Sequence, residues 1–211
     1  MTKWKNRWQV APRISEEANR ELAEYPQTFR QILYNRGYST QEEAQEYLNA
    51  RPPEGTNPFN MLGIPKAVDR IEFAIEKQEP IAVYGDFDAD GVTATALLYQ
   101  TLHGFGAQVR GYIPHRIDEG YGLNIEALNS LYNEGRRLVI TVDCGIRALG
   151  EAEHAREIGL DLIITDHHTP GEMLPYALAV INPKQPGETY PVKDLAGVGV
   201  AYKLACALIA Q

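Results

Sequence analysis

The sequence has only two cysteines, Cys144 and Cys206, among its 211 residues. Their spacing matches no metal-binding or redox motif, and nothing in the composition suggests a secreted domain held together by disulfides. No apolar run is long enough to span a bilayer, and the first residues, MTKWKNRWQVAPRISEE, lack the apolar stretch of a signal peptide. We therefore expect a cytoplasmic protein with no membrane partner.

Positive charge is also scarce: 20 Lys and Arg residues stand against 28 Asp and Glu residues, so the net charge is −8. This balance argues against a large nonspecific nucleic-acid surface, although it does not exclude a local basic groove. Basic residues alternate with tryptophans at the start of the chain: Lys3, Trp4, Lys5, Arg7, Trp8 and Arg13. Such an arm can grip single-stranded nucleic acid. Alternatively it docks its tryptophans on its own domain, which is the simpler interpretation for so short an arm.

A stretch rich in proline and glycine, NARPPEGTNPFN at 49–60, divides the chain. Residues 14–50 are polar with a helical pattern, so residues 1–60 are predicted to be an N-terminal helical segment and linker. Residues 61–211 contain five apolar runs typical of strands, IAVY (81–84), AQVRGYIP (107–114), RLVITVD (137–143), LDLIITD (160–166) and ALAVINP (177–183). Helical patterns alternate with them near 64–77, 91–104, 124–134, 147–158 and 195–210. This alternation predicts an α/β fold: a doubly wound, mostly parallel sheet with helices on both faces.

Polar side chains follow four of the predicted strands at the point where each strand ends. They are Asp86, Asp88 and Asp90, then Asp143, then Asp166, His167 and His168, and last Asn182 and Lys184. Ligands of open parallel sheets bind beyond the carboxyl ends of the strands, so these residues are expected to meet at one rim.

The first of these motifs, GDFDADG at 85–91, places three carboxylates close enough to raise one another's pKa unless a cation compensates. If the segment is extended, Asp86, Asp88 and Asp90 share one face, and Gly91 lets the backbone turn into the next helix. Carboxylates combined with histidines suit Mn²⁺ or Mg²⁺, and a pair of such ions can support phosphoryl transfer. We therefore predict a site for two Mn²⁺ or Mg²⁺ ions at this rim.

Other interpretations compete for the same residues. DFDADG matches the start of an EF-hand calcium loop, but the glutamate needed at the twelfth position is Leu97 here. The aspartates could instead form a solvated acidic turn, and Asp143 could merely cap the next helix. Their joint placement after several strands favours the metal site. Cys144 is expected to be a small packed residue, because no basic partner lies near it in the sequence.

Two further stretches are candidates for phosphate binding. PHRIDEGYGLN (114–124) places His115 and Arg116 beside a glycine-rich turn, and arginine is the preferred partner of phosphate oxygens. LAGVGVAYKLACAL (195–208) has Gly197 and Gly199 where a helix begins, so its backbone N–H groups are a possible anion site. Close helix packing explains the same glycines equally well.

Taken in order, GDFDADG, PHRIDEGYGLN, TVDCG, TDHH, INPK and LAGVGVAYKLACAL resemble the motifs of the DHH phosphoesterases. The resemblance covers about residues 64–211 and is strongest to the RecJ family of single-strand-specific exonucleases. It implies a two-metal enzyme that uses Mn²⁺ or Mg²⁺ to remove nucleotides from the 5′ end of single-stranded DNA in repair and recombination. Single-stranded DNA and a single-strand-binding protein are the implied partners. The alternatives are an oligoribonuclease, a cyclic-dinucleotide phosphodiesterase or a non-catalytic relative that binds nucleic acid.

The resemblance also implies which residues hold the metal. Asp88 and Asp90 match the metal-binding pair of the first motif, Asp143 matches the acid between the two ions, and His167 matches a histidine ligand. Asp86 is implied as a further ligand or as a residue that supports one.

The remaining implied roles concern the substrate. His168 matches a residue that contacts the scissile phosphate or supports its neighbour, and we place Asp166 with it in the catalytic set. His115 and Arg116 match a phosphate-contacting motif. Many members of the superfamily have a histidine where this chain has Tyr84, so one metal ligand is expected to be supplied differently.

The family pattern includes one aspartate ligand more, on a strand beyond the GVGVAYK helix, and a second domain that closes over the DNA. The sequence ends at Gln211, before either. The resemblance therefore implies an N-terminal piece of a longer enzyme, and we expect weak or no nuclease activity from this piece alone.

Overall fold

A computed structural model describes residues 9–49, 56–120 and 122–211. The chain forms two compact units, Met1–Pro53 and Glu54–Gln211. Except for Arg13, the predicted basic arm lies outside the described residues, as does much of the stretch at 49–60. Thr56 belongs to the second unit, since its carbonyl accepts hydrogen bonds from the Tyr190 hydroxyl and the Lys203 ammonium group. No helix within the described ranges is long and apolar enough to cross a membrane.

The first unit contains three short helices where the sequence predicts one helical region. They are α1 (Glu16–Glu21), α2 (Gln27–Asn35) and α3 (Gln41–Leu48). The Ser15 side chain caps α1, and Thr40 forms a capping box with Glu43 at the start of α3. Such caps satisfy backbone N–H groups that a helix leaves without partners. A small core of buried side chains holds the unit together, formed by Leu22, Leu33 and Ala44.

The described part of the second unit is a parallel sheet of five strands with helices on both faces, as the sequence predicts. In chain order it contains a 3₁₀ turn (Pro58–Asn60), α4 (Ile64–Glu76), β1 (Ile81–Gly85), α5 (Ala89–Gly104), β2 (Val109–Tyr112), α6 (Ile125–Asn133), β3 (Leu138–Val142), α7 (Leu149–Glu157), β4 (Asp161–Thr165), β5 (Ala179–Ile181) and α8 (Gly197–Ile209). All four strand pairings are parallel.

Alternation along the strands divides the core into two layers. Ile81 and Val83 of β1 pack with residues of α4, α5 and α8, whereas Ala82 and Tyr84 pack with residues of α6 and α7. Because both faces of the sheet are covered, the central strands are buried at every position. This burial explains why they appear in the sequence as continuous apolar runs.

The strand order, β2-β1-β3-β4-β5, determines where a ligand site can form. The chain passes from β1 to β2 on one side and then to β3 on the other, so the order reverses between β1 and β3. In such sheets ligands bind at the carboxyl edge of this switch point. Gly85 at the end of β1 pairs with Val142 at the end of β3, so Asp86 and Asp143 leave the sheet side by side.

Candidate metal centre

Asp143, the residue that follows β3, has a strained backbone. Its φ of +62° lies in the left-handed region, which costs a residue with a β-carbon on the order of 1 kcal/mol. The surrounding turn imposes this conformation: the Asp143 N–H donates to the Thr165 carbonyl, and the Thr141 hydroxyl donates to the Cys144 carbonyl. The Asp143 side chain is nonetheless buried. Strain of this kind, combined with a buried carboxyl group, is typical of a functional site.

The DFDADG segment is not extended, so the expected single face of three aspartates is wrong. Asp88 is the N-cap of α5, and its Oδ1 accepts the N–H of Gly91 at 2.9 Å. Asp90 already lies in the first turn of that helix. Gly91 is also inside the helix, and its role is close packing, since an added β-carbon would lie 2.5 Å from the Asp86 carbonyl oxygen. The hydrogen bond that caps α5 therefore determines the backbone conformation of this segment, and its side chains do not alternate as they would along a strand.

Two groups of side chains could each hold a metal ion within the described residues. Asp86, Asp88 and Asp143 form one group, and Asp143, His167 and His168 form the other; in each group the ligand atoms lie within 4.8 Å of one another. Asp143 belongs to both. Carboxylate oxygens with imidazole nitrogens are a donor set that suits Mn²⁺, and the carboxylates also suit Mg²⁺. Two overlapping groups with a shared carboxylate are the arrangement that a pair of ions needs.

The electrostatics of the site indicate a cation. Asp143 Oδ1 is buried and has no hydrogen-bond partner, although His167 Nε2 lies only 3.1 Å from it. Burial raises the pKa of Asp143 to about 7, and the negative charges of Asp90 and Asp88 add to the shift. Burial also raises the pKa of Asp86. A buried acceptor without a partner, surrounded by further carboxylates, is costly unless a cation compensates for it, so the residues fit a metal.

Asp166 is hydrogen-bonded to the two histidines that follow it, His167 and His168. It is buried, and its Oδ1 accepts hydrogen bonds from the N–H groups of His167 and His168, and pairs with His168 Nδ1 at 2.7 Å. Its Oδ2 accepts the Ile146 N–H at 2.9 Å. Placing Asp166 among the residues that act on substrate is therefore corrected: its oxygens are taken by protein donors, and it orients the His168 ring. Asn182 adds to this support by donating to the His168 carbonyl.

Arg116 and His115, the two candidates for phosphate binding in PHRIDEGYGLN (114–124), differ in their surroundings. The Arg116 guanidinium lies 4.9 Å from the centre of the ring of Phe87, a residue that stands between Asp86 and Asp88 in the chain. His115 instead pairs with Asp118 at 2.8 Å and is mostly exposed. The contact between the Phe87 ring and the Arg116 guanidinium was not predicted. No sequence pattern identifies one aromatic residue as the partner of a distant arginine.

Tyr84 has no access to the rim. It is fully buried, its hydroxyl donates to the Gly122 carbonyl at 2.9 Å, and it accepts a hydrogen bond from the Asn124 amide. Burial raises its pKa well above the usual tyrosine value. Through these hydrogen bonds Tyr84 connects the sheet to the glycine-rich end of PHRIDEGYGLN (114–124). Cys144 is buried as well, and burial raises the pKa of its thiol, as expected for a packed residue.

The start of α8 already has an anion. The backbone N–H groups of Gly197 and Val198 each donate to a different oxygen of Asp90, at 2.7 Å. The anion predicted for this helix terminus is thus a side chain of the protein itself, and an external phosphate would have to displace it. At Gly199 an added β-carbon would make only ordinary contacts with the Leu195 side chain, at 3.4 Å, so packing does not require a glycine there.

Comparison with known proteins gives a consistent result. Residues 80–211 match the model of the DHH family, N-terminal domain. The single-stranded-DNA-specific exonuclease RecJ of Bacillus subtilis is 52% identical over 180 residues, which are 85% of this chain and 23% of that protein. The RecJ protein of Escherichia coli is 39% identical over 206 residues, 97% of this chain and 35% of that protein. The chain thus spans about a quarter to a third of the length of these relatives.

Solved structures show the same fold. A RecJ structure in complex with Mn²⁺ from Thermus thermophilus superposes with a TM-score of 0.66 and 33% identity, over 92% of this chain and 26% of that one. A second exonuclease RecJ bound to manganese has a TM-score of 0.65 and 39% identity, over 71% of this chain and 38% of that one.

Proposed function

This chain belongs to the DHH family, and we propose that it carries the metal site of a nuclease that hydrolyses single-stranded DNA from its 5′ end in repair and recombination. One observation carries the proposal: two ligand groups overlap at Asp143, whose Oδ1 is buried without a hydrogen-bond partner. The names of the RecJ relatives, single-stranded-DNA-specific exonucleases, support the choice of substrate.

The ions proposed for the site are two Mn²⁺ or Mg²⁺. Asp86 and Asp88 would hold one, Asp90 and His167 would hold the other, and Asp143 would bind both. His168 lies in one group with Asp143 and His167, beside the second ion. When bound, such a pair supplies an activated water as the nucleophile and stabilises the leaving oxygen. RecJ structures that contain Mn²⁺ or Mg²⁺ support this choice of metal.

Other side chains of the site would bind the phosphates of the DNA or orient the His168 ring. Asp166 keeps the His168 ring in place through the bond to Nδ1. Arg116, whose guanidinium lies over the Phe87 ring, offers a planar group that can bind phosphate oxygens. A covalent mechanism is disfavoured, because the Cys144 thiol is buried and its pKa is raised.

The same family membership supports two further proposals. The chain acts in the cytoplasm, where its DNA substrate lies, and a single-strand-binding protein is its partner on that DNA. Hydrolysis of the DNA measured with and without an added single-strand-binding protein tests the proposed partnership.

Calorimetric titration with Mn²⁺ tests the metal site. The wild-type chain should bind two ions, and Asp143→Asn should bind neither well, because the shared ligand is lost. Asp118→Asn is the matched control, since that carboxylate is 76% exposed and pairs with His115. Equal isotherms for the wild type and Asp143→Asn would refute the site.

Hydrolysis of a 5′-labelled single strand, a duplex and a dinucleotide tests the substrate. Because the chain spans only part of its relatives, the expected result is at most a weak Mn²⁺-dependent release of 5′ nucleotides, confined to the single strand and lost in Asp143→Asn. Preferential cleavage of the dinucleotide would assign the oligoribonuclease activity instead.

A further inference from the structure

A cavity of about 470 Å³ lies beside the candidate metal centre, on the face of the sheet that α6 and α7 cover. Its walls come from three segments: residues 122–123 at the end of PHRIDEGYGLN, residues 145–148 after β3, and His168 with Thr169 after β4. His168 also belongs to one of the groups that could hold a metal ion. The cavity and the metal centre therefore share a wall, and the cavity has the size of a small-molecule site.

Hydrogen bonds join the wall that follows β3 to the wall that follows β4. The buried Asp166 carboxylate accepts the Ile146 N–H, and Arg147 Nε donates to the Thr169 carbonyl, both at 2.9 Å. Asp166 also accepts the His168 N–H and pairs with the His168 ring. The protein itself therefore holds the cavity in shape, and such preorganisation lowers the cost of binding a ligand.

Arg147 gives the cavity a positive charge that the protein does not neutralise. Its side chain is exposed, and within the described ranges its one hydrogen bond is to the Thr169 carbonyl and no carboxylate pairs with it. In contrast, the exposed Arg156 on α7 pairs with Glu153. The terminal N–H groups of Arg147 are thus available to a ligand, and a guanidinium matches the geometry of phosphate oxygens.

The rest of the lining suits a nucleobase. Leu123, Ile146 and Ala148 are apolar residues of the walls, against which the face of a base can pack. Glu151 adds a carboxylate that can accept hydrogen bonds from the N–H groups at the edge of a base. The same carboxylate would repel a small anion. The cavity is therefore complementary to a nucleotide rather than to inorganic phosphate.

We propose that this cavity binds the nucleotide that adjoins the scissile phosphate, with its base between the apolar walls and Arg147 on the next phosphate of the strand. The inference rests on the proposed function, because His168 places the cavity beside the ions at which the strand would be cut. A base can enter such a cavity only after it leaves its stack and its pair, which is easiest in a single strand. The cavity would therefore favour single-stranded over paired DNA.

Amide chemical shifts measured by NMR in the presence of Mg²⁺ map the site, with deoxyadenosine monophosphate (dAMP) as the probe. It should shift the amides of Gly145, Arg147 and Thr169. Inorganic phosphate should need an at least about tenfold higher concentration to do so, because it has no base to pack in the cavity. In Arg147→Ala the Gly145 and Thr169 amides should respond only at roughly tenfold higher dAMP, since the phosphate contact is lost. Arg156→Ala removes an exposed arginine outside the cavity and should respond as the wild type does.

Fluorescence anisotropy with a nuclease-resistant single strand measures the same contact on DNA. Arg147→Ala should weaken binding about tenfold, and Arg147→Lys should recover part of the loss because lysine keeps the charge but not the planar group. The losses in Arg147→Ala and Arg116→Ala should multiply in the double variant, since the two arginines would contact different phosphates. If Arg147→Ala does not fold, the same measurements on Arg147→Lys decide the question.

Three results would each overturn the nucleotide site: equal losses in Arg147→Ala and Arg156→Ala, equal affinity for dAMP and inorganic phosphate, or dAMP shifts confined to residues outside the cavity. Failure of the wild type to bind Mn²⁺ would instead refute the proposed function. The two failures are distinguishable, because the shifts caused by dAMP report on the cavity and the Mn²⁺ titration reports on the ions.

Discussion

Gly197 lies against Asp143 so closely that only a residue without a β-carbon fits: a β-carbon would be 2.4 Å from Asp143 Oδ1. Heavy atoms do not approach this closely, so the start of α8 or the Asp143 side chain would have to move. Both residues lie within the region that matches the family model, Asp143 directly after β3 and Gly197 at the start of α8. Their contact is one wall of the candidate metal centre.

Gly197→Ala should destabilise the chain by about 1–3 kcal/mol, the usual cost of forcing an extra carbon into a packed site. It should also weaken Mn²⁺ binding, because the displaced group is Asp143. Gly199→Ala is the matched control two residues later, where the added carbon meets the Leu195 side chain at an acceptable 3.4 Å. Urea unfolding and Mn²⁺ titration of both variants check this. Similar losses in the two variants would show that the contact with Asp143 is not responsible.

The metal-free chain should lose stability as the pH rises from about 4 to 7. The pKa of Asp143 is about 7 in the folded chain and has its ordinary value of 3.8 when unfolded. Over this interval the folded state therefore binds more protons than the unfolded state, so the free energy of unfolding falls as the pH rises. Asp143→Asn removes the titrating group and should flatten the profile.

Urea unfolding in EDTA at several pH values measures this dependence. Saturating Mn²⁺ should reverse the loss at pH 8, because an ion that binds only the folded state stabilises it. Parallel profiles for the wild type and Asp143→Asn would contradict the assignment of the pH dependence to this carboxyl group.

Asp166→Ala should destabilise the chain by about 2–4 kcal/mol, because the Ile146 N–H and the two histidine N–H groups lose a buried charged acceptor. It should also reduce hydrolysis by more than the lost stability explains, because His168 loses the partner that orients its ring. Denaturant unfolding and turnover at a temperature where the variant is folded separate the two effects. Full turnover in the folded variant would mean that His168 does not need this partner.

Arg116→Ala should weaken the binding of single-stranded DNA at least about tenfold and leave Mn²⁺ affinity unchanged, because the guanidinium binds phosphate and not the ions. Arg116→Lys should recover only part of the loss, since lysine keeps the charge but not the planar group stacked on Phe87. Fluorescence anisotropy with a nuclease-resistant single strand and Mn²⁺ measures the binding.

Arg110→Ala controls for the loss of one positive charge, as that arginine pairs with Glu134. Equal losses in Arg110→Ala and Arg116→Ala would indicate a general effect of charge rather than a phosphate contact.

Much of the fold could be predicted, because the periodicity of buried positions is a local property. The alternation of apolar runs and helical patterns predicts the parallel sheet, and the rule that ligands lie at the carboxyl ends of parallel strands predicts which residues meet. Asp86, Asp143 and His167 do meet at the predicted rim. The end of β1 was located correctly to within one residue, since the strand closes at Gly85.

The sequence by itself determined the strands, the helices and the set of acids and histidines at one rim. Only the tertiary structure decided which other parts of the chain the residues near this rim contact. Asp90 lies in the same short motif as Asp88, yet its carboxylate also accepts hydrogen bonds from the start of a helix 107 residues later, and the Tyr84 hydroxyl donates to the Gly122 carbonyl in a loop. Contacts between residues so far apart depend on how α5, α8 and the sheet pack. No local pattern in the sequence contains that information.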